Sequence, residues 1–318
     1  INPAYFYGVF DPNDMRRDVS ITMTGSNGKG VEKLIPFVPN SKAEGGGLTL
    51  NKWDENRQAN PWVAAQRKSG INGPYMRMSE VYLGYAEVCA ALGDVVTGKQ
   101  YLKTVRERSF PQGLANTDAF IASFGNDLVR AIIEERGFEY AGEGDRRWTL
   151  IRSGYLPEDI KRIKDMTKAM MDGLATKGYY EFENGNIISA YIWTKLVDAK
   201  TIYGHRLTAQ CPTDKVNDPV LYPGWRGQKD NWEEMGLNYG SSTPATNLAI
   251  KGLFEIVSEE EAASLESQGY AKVNWGIDLV DYRDEYDKYL FWDYDYVSAP
   301  IYSVSYTHLR AHETRGNL

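Results

Sequence analysis

From Met76 to Leu92, apolar and small residues recur at three- and four-residue steps, at Tyr82, Tyr85, Ala86, Cys89 and Ala90. That spacing is one face of an α-helix. Gly93 ends the helix as a C-cap and Asp94 begins a turn. A second helix is predicted over about Val96 to Arg108, with Tyr101, Leu102 and Val105 facing inward. Two antiparallel helices joined at Gly-Asp, with small residues where they cross, make a tetratricopeptide-like hairpin. Such a unit buries its apolar face only against further hairpins. Asn116, Thr117 and Asp118 cap a helix carrying Phe120, Ile121 and Phe124. Asp127 to Tyr140 form another, with Leu128, Ile132, Ile133 and Tyr140 apolar. Trp148 to Arg152 continue helically, and Pro157 opens a charged helix to about Met171. The pattern predicts a mainly α fold, an α/α superhelix of tetratricopeptide-like hairpins with long ordered loops and a few short strands.

The flanks read differently. Residues 1–74 are loop-rich, with a turn at Phe10 to Asp14 and glycine-bearing loops at Ser26 to Gly30 and Gly45 to Gly47. Gly28-Lys29-Gly30 lacks the spacing and the following helix of a phosphate loop. Val31 to Val38 and Leu48 to Trp53 are candidate short strands. Beyond Gly178, residues 179–302 hold Gly, Asn, Asp and aromatics in short runs. They read mostly as long ordered loops, with one acidic helix at Ser258 to Leu265. Ser303 to Leu318 breaks abruptly in character and resembles a translated sequencing-adapter tail, so it is left out of fold reasoning. The expected division is therefore a loop-rich segment at 1–74, a helical domain at 75–302 and a non-native tail at 303–318. The chain also opens in mid-pattern at Ile1 without an initiator Met, and the expectation is that it begins inside a longer protein.

Composition narrows the function classes. The 318 residues are 42% hydrophobic and 25% charged, an ordinary globular balance. A net charge of -7 argues against a phosphate-binding face and hence against nucleic acid. No run of 18 apolar residues is present to span a membrane. The two cysteines, Cys89 and Cys211, make neither a disulfide framework nor a zinc site, and no metal or cofactor is expected. Cys89 reads as a small buried hydrophobe. The informative excess is aromatic: 22 Tyr and 8 Trp, which serve either as core or as stacking platforms for sugar rings.

Titratable groups cluster in one place. Glu134, Glu135, Arg136, Glu139, Glu143, Arg146, Arg147 and Arg152 are densely interleaved. A glycoside hydrolase needs two carboxyl groups across the bond, one with a raised pKa. Glutamates interleaved with arginines have lowered ones, so the cluster reads as a structural ion network rather than a catalytic pair. His205, once the tail is set aside, has no nucleophile motif beside it. No catalytic residue is assigned.

Three segments carry a family resemblance. Tyr75 to Leu83 with Tyr85-Ala86-Glu87, Tyr101 to Arg108, and Ile132 to Arg136 through Phe138-Glu139 and Glu143 to Trp148 resemble, in order and spacing, the C-terminal part of the SusD/RagB family. Asp14 to Arg17 and Glu266 to Tyr270 resemble further, weaker family elements. Gly98 stands where the family usually has Ala, and Gly137 where a second Arg is common. The resemblance implies a surface-exposed lipoprotein of the bacterial outer membrane, in Bacteroidota. It implies non-catalytic capture of glycans for a SusC-like TonB-dependent transporter, with no enzyme activity and membrane contact only through a lipid anchor. It further implies that loops just before the Tyr75 helix contribute to a glycan face. There, Trp53 and Trp62 flank a polar stretch, and Asn56 and Arg57 suit sugar hydroxyls. Trp225 and Trp232 form a second candidate ligand-binding pair. The competing readings are a helical glycoside hydrolase or lyase, and a peptide-binding repeat scaffold.

Overall fold

Side-chain caps set where the helices begin. Asp14, Asp94, Asn116, Asp127 and Ser258 each accept a hydrogen bond from a backbone N–H two or three residues on, satisfying donors the first turn leaves unpaired. In the computed structural model, which describes residues 3–26, 32–34, 48–50, 52–53, 73–198 and 246–276, those caps start α1 (Met15–Ser20), α3 (Val95–Glu107), α4 (Thr117–Ala122), α5 (Leu128–Glu139) and α8 (Glu259–Ser267). The remaining helices are α2 (Met78–Ala91), α6 (Asp145–Ser153) and α7 (Leu156–Lys177), with a π-helical turn at Ala4–Val9. The fold is mainly α. Short strands are β1 (Ile21–Thr22), β2 (Thr24–Ser26), β3 (Glu32–Leu34), β4 (Thr49–Leu50), β5 (Tyr179–Glu181), β6 (Ile187–Ser189), β7 (Tyr191–Asp198), β8 (Thr246–Lys251) and β9 (Ala271–Asn274).

α2 and α3 form a hairpin across Gly93, whose φ of 86° suits a residue without Cβ. The two helices cross closely at Gly98, where a Cβ would come within 3.0 Å of the Ala86 carbonyl and 3.1 Å of Leu128. That contact accounts for glycine at a position where alanine was expected. The buried face of α2 differs from the predicted one. Ser79, Leu83, Ala86 and Cys89 point inward, whereas Tyr85 is exposed. Tyr85 instead packs edge-on against Tyr101 of α3, with ring centroids 5.0 Å apart. Met78, Val81, Val88 and Leu92 share its exposure.

Two hydrophobic clusters flank α5. One joins Leu83, Ala86, Leu102, Val105 and Ile132. The other joins Tyr7, Phe10, Phe138, Met170, Ile188, Ile192 and Ile250. α5 thus supplies Ile132 to one and Phe138 to the other.

The described residues after Gly178 are more regular than their composition suggested. β5 and β6 pair antiparallel, and β8-β7-β9 form a three-stranded antiparallel sheet. Ile192, Leu248, Ile250 and Val273 face the core from that sheet, leaving the alternate residues for the outer side. The π-helical turn is tied to the β5–β6 hairpin by Asn186, whose Nδ2 donates to the carbonyls of Tyr7, Gly8 and Phe10 at 3.3, 2.9 and 2.7 Å.

Candidate functional site

α5 carries five charged side chains into the interior, Arg130 among them. Glu134, Glu135, Arg136 and Glu139 are each no more than 6% exposed. A buried charge is tolerated only when paired and hydrogen-bonded, and the partners come from all around the helix. Glu135 meets Arg16 at 2.7 Å and Arg106 at 2.9 Å. Glu139 meets Arg16 at 3.0 Å, Arg77 at 2.6 Å, and also Arg108. Glu143 accepts a forked pair of bonds from Arg77 at 2.8 and 3.0 Å and pairs with Lys52. Glu134 meets Arg146 at 2.8 Å and Arg162 at 3.2 Å, and both arginines also hold Asp159 of α7. Arg136 bonds Asp145 and Thr149. Arg152 pairs with Glu87 on α2, away from this group. Arg147 is exposed and makes no ion pair among the described residues.

Two of these carboxyls, Glu139 and Asp159, are shifted in the same direction. Burial alone would raise the Glu139 carboxyl, but hydrogen bonds and charge from Arg108, Arg16 and Arg77 outweigh it and hold the group at about 2. Asp159 is likewise pushed up by burial and brought below its ordinary value by Arg146 and Arg162. Neither carboxyl holds a proton near neutrality, and a general acid must. No group of His, Cys, Asp or Glu suited to a metal occurs among the described residues.

A cleft of about 800 Å³ opens between the π-helical turn, α4, α5, α7 and the β5–β6 hairpin. Phe120, Phe138, Tyr180 and Phe182 give it aromatic walls, and Arg106 and Arg162 bring guanidinium groups to it. Arg106 lies over the Phe120 ring at 3.8 Å and ion-pairs with Glu135. The Nε of both arginines is buried without a hydrogen-bond partner. Asn184 and Asn186 also line the cleft, yet their amides are taken up by backbone carbonyls of the π-helical turn. The cleft therefore offers ring surface and few uncommitted polar groups.

Of the predicted ligand-binding residues, Trp53 is described. It is 40% exposed and follows Lys52, whose Nζ donates to the Glu139 carbonyl at 2.6 Å. Trp53 thus stands beside the C-terminal end of α5 and does not line the cleft. Asn56, Arg57, Trp62, Trp225 and Trp232 lie outside the described residues, as do His205 and Cys211. Cys89 is buried. The outer side of the β7 sheet, with Tyr191 and Trp193, was not singled out. Its signal was the aromatic and β-branched run Tyr-Ile-Trp-Thr from Tyr191 to Thr194, the composition of a strand.

Among the described residues, no helix is long and apolar enough to cross a membrane. A search among curated proteins finds SusD-like protein P25 of Formosa agariphila, 28% identical over 160 residues. The matched stretch is 50% of this chain but only 26% of that relative. No solved structure matches the chain. A family model of the SusD family matches residues 5–244, three quarters of the sequence and the whole α1–α7 frame around the α5 ion network, and the chain belongs to that family.

Proposed function

We propose that this protein captures oligo- or polysaccharide at the outer surface of the bacterial outer membrane. It passes the glycan to a SusC-like TonB-dependent transporter, without cleaving it. A lipid anchor is its means of attachment in this reading. Membership of the SusD family carries the proposal. The acid chemistry supports its non-catalytic side. The carboxylates packed around α5 are matched by arginines, and Glu139 is held at about 2, so that carboxyl has no proton to give a glycosidic oxygen near neutrality. Trp53, exposed beside that network, offers an indole face on which a sugar can stack.

Isothermal titration against a panel of oligosaccharides, with a parallel reducing-sugar assay, tests this reading. Binding without sugar release is the expected outcome. The double variant Trp53→Ala, Trp62→Ala is expected to weaken binding on the order of tenfold or more, the scale of a lost stacking contact. Release of reducing ends would favour the hydrolase or lyase. Undiminished affinity in the double variant would remove Trp53 and Trp62 from the site.

A further inference from the structure

The outer side of the β8-β7-β9 sheet carries a basic and aromatic surface. Trp193 of β7 is the register partner of Lys251 on β8 and of Lys272 on β9. Directly opposed residues in antiparallel strands share a face, so the three form one row across the sheet. Tyr191 opposes Asn274 in the next row. Lys195, two residues along β7 in the other direction, falls on the same face. The lysines lie against rings. Lys272 Nζ is 4.6 Å from the Tyr191 ring and 5.4 Å from that of Trp193. Lys251 and Lys195 approach the Tyr270 ring at 5.3 and 5.7 Å.

Three observations give this surface a ligand chemistry. First, none of Lys195, Lys251 and Lys272 makes an ion pair among the described residues. In a protein of net charge -7 three lysines without an ion-pair partner stand out, although Lys195 also donates to the Gln268 carbonyl at 2.7 Å. Second, two polar atoms on the face are buried with no hydrogen-bond partner: the Trp193 indole N–H, a donor, and Asn274 Oδ1, an acceptor. Trp193 itself is only 4% exposed. Orphaned polar atoms of this kind are rare and ask for a partner. Third, Tyr191 is 39% exposed beside them, a ring open to stacking. Rings, lysines, one donor and one acceptor match a sugar that bears an anionic group.

We infer that this sheet face binds acidic glycan, its lysines taking a carboxylate or sulfate while Tyr191 stacks on the ring. The inference rests on the glycan-capture reading and adds the charge of the substrate. A ligand oxygen then accepts from the indole N–H, and a sugar hydroxyl donates to Asn274 Oδ1.

The test uses the full chain and two families of probes by titration calorimetry. Oligogalacturonates and sulfated galacto-oligosaccharides are the acidic probes; malto-, xylo- and manno-oligosaccharides are the neutral ones. Inorganic sulfate is the control for bare charge. The acidic probes are expected to bind, with affinity falling as salt rises. In Lys251→Ala, Lys272→Ala the acidic affinity is expected to fall on the order of tenfold or more, while Lys272→Arg retains binding. Preference between the two acidic families tells carboxylate from sulfate. Binding of neutral glycans alone overturns the inference and leaves glycan capture standing. Acidic binding unchanged in the double variant, with circular dichroism unaltered, also overturns it. Equal binding of inorganic sulfate reduces the face to bare charge and overturns it too. Failure of every glycan to bind sinks the capture reading and this one with it.

Discussion

Arg16 Nη1 donates to Glu139 Oε2 at 3.0 Å across 123 residues of sequence. The same guanidinium holds Asp14, which caps α1, and Glu135. One arginine thus fastens the start of α1 to the centre of α5. Arg16→Met is expected to leave Glu135 and Glu139 short of a cation in the interior and to destabilise by about 3–5 kcal/mol. Arg108→Ala removes a side chain 52% exposed from the same Glu139, and about 1 kcal/mol or less is expected. Urea denaturation of both variants checks the difference; equal losses would contradict it.

The depressed carboxyl of Glu139 gives the protein a pH signature. Its folded value of about 2 lies below the ordinary 4.5. The group therefore contributes stability in full above about 4.5, and that stability is lost as pH falls toward 2. The window corresponds to about 3 kcal/mol. Asp159, lowered for the same reason, adds to the slope in the same direction. Stability measured from pH 6 to pH 2 is expected to fall, and Glu139→Gln is expected to flatten part of that fall while lowering stability at neutrality. A variant with the full wild-type slope would show that the network does not govern it.

Gly137 sits inside α5 where only hydrogen fits. A Cβ there would collide with the Tyr5 hydroxyl and come within 2.6 Å of Arg146 Nη1. Alanine is the better helix former by about 1 kcal/mol, yet Gly137→Ala is expected to destabilise by about 1–3 kcal/mol through overpacking. A thermal melt with a raised midpoint would refute the close approach. The arginine expected from family resemblance at this position has no space beside Tyr5.

Asn186 holds three carbonyls of the π-helical turn with one amide. Asn186→Ala leaves buried acceptors unpaired and is expected to cost about 1–3 kcal/mol. Hydrogen exchange is expected to quicken across Ala4–Val9 and less so in α2 and α3, which belong to a separate cluster. Uniform acceleration would count against a local role.

Legibility in the sequence followed the range of the interactions. Helices from α2 to α8 could be read because their caps and periodicity are local, as at Asp94, Asn116 and Ser258. Tyr85 misled because its apolar spacing fits a core stripe, while the hairpin turns it outward against Tyr101. The acid–base group was visible on α5 and α6, but its long-range partners, Arg16, Arg77, Arg106 and Asp159, were not. The β8-β7-β9 sheet was missed for a similar reason. Lys251 and Lys272 gain meaning only when the register sets both beside Trp193.

The pairing of Asp198 with Thr246 closes the β7–β8 ladder. At Trp193 and Thr194 the central strand is paired on both sides at once, by β8 and by β9. A backbone enclosed in this way offers no open edge there on which another strand could template itself.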